Sequence, residues 1–208
     1  MVNLSDNSDF YFTIANNCSA EIKIKGSRFI GQVFPISSRD NAEEILALVR
    51  KEHYNATHNC FAYSLGLDGN TFRYSDDGEP SGTAGKPIFQ AINSFDYKDI
   101  LVIVTRYFGG TKLGVGPLAR AYAESAKTAL ELTEKKIIYL TKTFKITCDY
   151  NFIAILKHTF ENYSINLKEE YEEKVCFIID VLESQADKFE KLIVEKTNDK
   201  VEILPFNR

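Results

Sequence analysis

Apolar and polar residues alternate through Ala20, Glu21, Ile22, Lys23, Ile24 and Lys25, and the alternation resumes over 29–36, predicting a hairpin that turns at Gly26-Ser27. The period then lengthens. Ala42, Ile45, Leu46 and Val49 recur at helical spacing, with Asp40 as N-cap and Glu43 reaching back from the third helical position. Two strands follow, 60–67 and 71–75, joined by the turn residues Asp68-Gly69-Asn70. A short helix is predicted over 87–94. The segment KDILVIVTRYF, residues 98–108, is an apolar run rich in β-branched and aromatic side chains and reads as a central strand buried on both faces. After GGTKLGVGP comes a helix with Pro117 suited to its first position and Arg120 in its first turn. Leu118, Tyr122, Ala126 and Ala129/Leu130 make its apolar face.

A charged stretch, 131–136, separates this pattern from a different one. Phe144, Ile146 and Cys148 alternate as a strand; Phe152, Leu156 and Phe160 make a helical stripe; 165–171 and 174–180 pair as a hairpin. Ser184 and Asp187 form a capping-box start for a helix carrying Ala186, Phe189 and Ile193, and VEIL, 201–204, closes the sheet. The order β-α-β-β-α-β is the ferredoxin-like arrangement. The expected fold class is α+β in two domains, 1–134 and 135–208.

Composition is that of a globular protein, 44% hydrophobic and 26% charged. Residues 1–134 hold 13 Lys and Arg against 16 Asp and Glu, a net −3, and residues 135–208 hold 12 against 13, a net −1. Neither half is basic, so any nucleic-acid role must rest on a local patch. The N-terminus has neither the basic nor the apolar region of a signal peptide, and no apolar run is long enough to span a bilayer, so a cytoplasmic protein without a membrane partner is expected. The cysteines, at 18, 60, 148 and 176, fit neither a zinc pattern nor C-x-x-C.

Three constellations carry candidate chemistry. The first is RYFGGTKLGVGPLAR, a strand, a Gly-rich loop and a helix start. Helix N-termini leave amides unpaired and carry partial positive charge, so phosphate is the natural ligand. Arg106, Gly109, Gly110, Lys112, Gly114, Gly116 and Arg120 are its candidate anion- or RNA-binding residues; the alternative is that the glycines merely turn and the cations are solvated. Gly114-x-Gly116-x-x-Ala119 fits a dinucleotide fingerprint, but no acid ends a strand about 20 residues on. A P-loop fails because Pro87 follows Gly85-Lys86. The second is the loop of Asp76, Asp77, Glu79, Ser81, Thr83 and Lys86. Its clustered carboxylates could hold a hard cation, or form an Asx-turn network that shapes a surface. A hydrolase built from Ser81, His58 and Asp77 has no supporting spacing. The third is histidine: His53 sits at a helix end, His58 stands before a strand, and no pair has zinc-ligand spacing. Arg28, His58 and Tyr107 complete the candidate surface; neither a metal nor a cofactor is expected.

The strings HNCFAY (58–63), SDDGEPSGTAGKP (75–87) and VTRYFGGTKLGVGPLARAY (104–122) closely resemble the IMPACT/YigZ family across roughly residues 20–130, and 140–208 resemble the smaller domain of its bacterial members. The resemblance implies a first domain like domain four of elongation factor G, of left-handed βαβ type. It implies a second like domain five of that factor, ferredoxin-like. Eukaryotic members regulate translation under amino-acid stress through a kinase pathway, but with an extra N-terminal protein-binding domain that has no counterpart here, so that role is not carried over. RNA or ribosome binding is suggested for bacterial members by fold analogy. The family usually reads K-L-G-x-G-G-L; Pro117 here replaces the last Gly and removes one helix-start N–H. The leading expectation is a noncatalytic translation-associated regulator that binds RNA or the ribosome through Arg106, Lys112 and Arg120; Tyr107 and Phe108 either stack on a base or, as is commoner at a strand end, belong to the core. The alternatives are an enzyme on a small phosphorylated or acyl substrate, using Asp77, Ser81 and Lys112, and a module that binds a translation-regulatory protein.

Overall fold

A computed structural model describes residues 9–67 and 70–206, so the turn expected at Asp68-Gly69 lies outside the described residues. The chain divides into two compact units, residues 12–137 and residues 138–206 joined by 9–11. The division thus falls after Ile137 rather than residue 134, and residues 9–11 group with the second unit, which no sequence pattern indicated.

After β1 (Phe10–Ile14), whose first two residues belong to the second unit, the first unit contains in chain order β2 (Cys18–Ile24), β3 (Ser27–Pro35), α1 (Arg39–Glu52), β4 (His58–Leu65), β5 (Thr71–Ser75), α2 (Gly85–Ser94), β6 (Ile100–Tyr107) and α3 (Val115–Glu131). β1 pairs with β7 (Lys135–Tyr139) in a two-stranded sheet. The main sheet runs β2-β3-β6-β4-β5 with every neighbouring pair antiparallel. β6 occupies its centre, buried from Ile100 to Arg106. Successive strand side chains point to opposite faces. Ile100, Val102 and Val104 therefore join Ile88, Ala91, Leu118 and Tyr122 of α2 and α3, while Leu101 and Ile103 join Leu46 and Val49 of α1. Covering both faces removes the polar alternation a half-exposed strand would show.

Local starts and stops depart from the sequence pattern in instructive ways. The β2–β3 turn is Lys25-Gly26, both at positive φ, one residue earlier than expected; this left-handed pair matches the twist of the flanking strands. Ser38, not Asp40, caps α1 by accepting from the Asn41 amide, and Glu43 pairs with Arg73 of β5 instead of reaching back. α3 begins at Val115, so Pro117 is its third residue and Arg120 lies in its second turn.

The second unit continues with β8 (Thr141–Cys148), α4 (Ile153–Phe160), β9 (Ser164–Tyr171), β10 (Val175–Leu182), α5 (Ala186–Thr197) and β11 (Glu202–Pro205). Its sheet order is β11-β8-β10-β9, antiparallel throughout. Phe144, Phe160, Phe177 and Phe189 fill the core between sheet and helices. The expected Ser184–Asp187 capping box does not form. Ser184 instead donates its hydroxyl to Asp9, 2.6 Å away, and α5 starts at Ala186 after one 3-10 turn. An acid far away in sequence outcompetes the local one.

These caps give a direct test. Ser38→Ala should destabilise the first unit by about 1 kcal/mol and Asp40→Asn by a few tenths at most. Urea denaturation monitored by circular dichroism distinguishes the two; equal losses would restore Asp40 as the cap.

Candidate functional site

The loop 76–84 crosses from β5 to α2, and protein donors engage each of its carboxylates. Asp76 accepts from the amides of Gly82, Ala84 and Gly85 at 2.8, 2.9 and 2.8 Å, so it fixes the start of α2. That cap is why α2 begins at Gly85 rather than Pro87. Asp77 accepts from Arg50 Nη2 at 2.8 Å and the Asn59 amide at 2.7 Å. Glu79 turns inward, its side chain 5% exposed. Its Oε1 accepts from Arg106 Nη1 at 2.5 Å and the Tyr122 hydroxyl at 2.8 Å, and its Oε2 lies 3.8 Å from His58 Nε2. One carboxylate thus joins β4, β6 and α3 to the loop.

His58 Nδ1 lies 2.7 Å from the Asp77 carbonyl. A carbonyl only accepts, so Nδ1 carries the proton and Nε2 faces Glu79. Cys60 Sγ donates to the Asp76 carbonyl at 3.0 Å. Burial, reinforced by the neighbouring acids, pushes the Cys60 thiol and the Tyr122 phenol far above their ordinary values. Tyr122 is therefore a fixed donor to Glu79, and neither group is a nucleophile or base at neutral pH.

Across from this network lies the loop between β6 and α3. Gly109 presses against the β2–β3 turn so closely that a Cβ there would sit 1.9 Å from the Gly26 carbonyl carbon. Gly114, at φ 81°, reverses the chain into α3 and has no side chain with which to cap it, and among the described residues no other side chain accepts from that helix's first amides. Between the loops is a cleft of about 380 Å³. Glu79 and Arg106 lie at its polar side, Phe108, Leu113, Val115 and Leu118 make apolar wall, and Lys112 and Gly114 complete it with Pro80.

The structure redistributes the candidate residues. Arg106 is not a solvated cation: it is 5% exposed, bound to Glu79 and Ser27, and its charge is spent on the ion pair. Lys112 is exposed at the cleft, whereas Arg120 is exposed beside Gly116 and does not line it. Tyr107 is held by His53, 2.9 Å from its hydroxyl, and by Arg28, whose guanidinium covers its ring at 4.4 Å; it is not a free stacking surface. Phe108 is 46% exposed. Gly110 stands at φ +86° with open space around it. In the acidic loop Thr83 is buried, donating to the Pro80 carbonyl, while Ser81 and Lys86 are exposed. Asp77 and Ser81 do not line the cleft with Lys112, and His58 meets the Asp77 backbone rather than its carboxylate. Among the described residues no group of three His, Cys, Asp or Glu side chains is placed to hold a metal. The pairing of Glu79 with Arg106 and Tyr122 escaped sequence reasoning; its one trace was an Arg inside an otherwise apolar strand.

Two outcomes follow from this network. Glu79→Gln leaves Arg106 buried without its counter-ion and should destabilise the first unit by about 3–5 kcal/mol, whereas Arg106→Met with Glu79→Gln should recover much of that loss. Denaturant midpoints of the single and double variants measure it. Cys60 and Tyr122 hold their protons more tightly folded than unfolded, so their contribution to stability should be level near neutrality and fall as pH rises past the ordinary 9.0 of the thiol and 10.0 of the phenol. Tyr122→Phe should make that fall shallower above pH about 10 in thermal melts.

Comparison with known proteins places these features. Residues 25–130 match the Impact N-terminal domain, and residues 146–200 match a domain of unknown function, DUF1949. The chain is 38% identical over 197 residues to the IMPACT family member YvyE of Bacillus subtilis, spanning 93% of this chain and 89% of that protein. It is 37% identical over 132 residues to YigZ of Escherichia coli, 62% of this chain and 64% of the other. A Protein IMPACT homolog of Dictyostelium discoideum is 32% identical over 112 residues, 52% of this chain and 31% of that one. A crystal structure of a hypothetical protein superposes with a TM-score of 0.67 at 25% identity, covering 96% of this chain and 98% of the other. The chain therefore belongs to the IMPACT/YigZ family.

Proposed function

We propose that this protein is a noncatalytic, translation-associated regulator that docks on RNA, the ribosome's above all, through the β6–α3 side of its first unit. The observation that carries the reading is the uncapped start of α3, with Lys112 and Phe108 exposed beside it. Unpaired amides and a cation attract phosphate, and an exposed ring offers a surface to a base. In this reading Arg106 positions Phe108 and Glu79 instead of meeting phosphate itself. Arg120, one turn into α3, adds charge further along.

The fold supports the same reading. We infer that the second unit, with strands ordered β11-β8-β10-β9 around two helices, is ferredoxin-like, and that the first is of the kind seen in domain four of elongation factor G. A pair of domains shaped like a translation factor's is suited to a ribosomal site. Among the described residues no helix is long and apolar enough to cross a membrane.

Cosedimentation with ribosomes across a salt series tests the proposal. The pelleted fraction of wild type should fall steeply between about 50 and 200 mM salt, and Lys112→Ala should weaken binding and reduce the log–log salt slope by about 1. Lys86→Ala, away from the cleft, should behave as wild type. Absence of any salt-dependent association by the wild type would refute the docking reading.

A further inference from the structure

The cleft has more structure than a phosphate patch requires. Its volume, about 380 Å³, falls within the roughly 300–1,000 Å³ of small-molecule sites. Its lining combines the polar Glu79, Arg106 and Lys112 with the apolar Phe108, Leu113, Val115 and Leu118. Phe108 has the Arg106 guanidinium 5.5 Å from its ring centroid and remains 46% exposed. Arg106 is a fixed part of the cleft wall, its side chain 6% exposed. The Oε2 of Glu79, 3.8 Å from His58 Nε2, retains capacity to accept from an amino or hydroxyl group.

We propose that this cleft holds one unpaired nucleotide of a bound RNA, its base against Phe108 and the apolar wall, its phosphate at Lys112 and the first amides of α3. The inference rests on the docking reading and adds to it a requirement for single-stranded RNA. A duplex keeps its bases stacked inside and presents only phosphate and sugar, whereas an unpaired base can leave the stack and lie on an aromatic ring. An apolar wall beside a cation suits that combination; a bare phosphate site would have no use for the wall.

The chain has no tryptophan, so Phe108→Trp places a sole indole fluorophore at the cleft of the full-length protein. A short oligouridylate should quench its emission, and the same strand annealed to its complement should not. Phe108→Ala, a change at a half-exposed ring, should weaken single-strand binding roughly tenfold by fluorescence anisotropy while duplex binding stays as in wild type. If Phe108→Ala binds oligouridylate as tightly as wild type while Lys112→Ala is weakened, no base enters the cleft and this inference falls, with docking intact. Quenching by a phosphotyrosine peptide but not by oligouridylate would assign the cleft to a protein ligand and overturn it. If wild type binds neither single strands, duplexes nor ribosomes, the docking reading fails with it.

Discussion

The first unit is organised around a carboxylate that has left water. Glu79 gives up its hydration to accept from Arg106 and Tyr122, and removing either member of a buried ion pair strands the charge of the other. Here the partners come from separate elements: Arg106 from the central strand, Tyr122 from α3, with His58 of β4 alongside. Losing any of them would leave a charge or a hydroxyl stranded in the core. The pair therefore constrains geometry more than it adds stability. It fixes where the acidic loop crosses the end of the sheet, and with that it fixes one wall of the cleft.

The two loop-to-helix junctions on this side resolve the same physical problem in opposite ways. A helix start leaves amides without acceptors. At α2 the protein answers with Asp76, whose carboxylate takes three amides. At α3 no side chain among the described residues takes that place, and Gly114 stands there at positive φ. The close approach of Gly109 to the β2–β3 turn holds that second junction in place. One junction is thus internally satisfied and serves as scaffold, while the other keeps its field directed outward, beside Lys112.

Bulk charge and local charge point in different directions in this molecule. The net charge is −4, yet the acids nearest the cleft are neutralised or turned inward. Screening at physiological salt limits the reach of surface charge to about 8 Å, so the exposed cation at the cleft acts on what touches it rather than on distant anions. The similarity to YvyE runs nearly the whole chain, whereas the Dictyostelium relative shares about half of it. The cleft and the two loops that form it lie within residues 25–130, the span that matches the Impact N-terminal domain.

Periodicity determined the order of elements from β2 to α3 and from β8 to β11, but it gave neither β1 nor β7. A continuous apolar run from Ile100 to Val104 has only one comfortable place, the middle of a covered sheet, and helical stripes such as Leu118, Tyr122 and Ala126 can bury only one face. The motif strings were equally legible, because long Gly-rich and acidic segments resist regular structure. What periodicity could not carry was pairing at a distance. Asp9 over Asp187 and Arg106 turned to Glu79 are choices between chemically similar partners, decided by which one the folded chain brings within 3 Å or so. A sequence states that a carboxylate and a guanidinium are present; only the assembled sheet decides that they meet in the dark, leaving Lys112 and Phe108 to face outward.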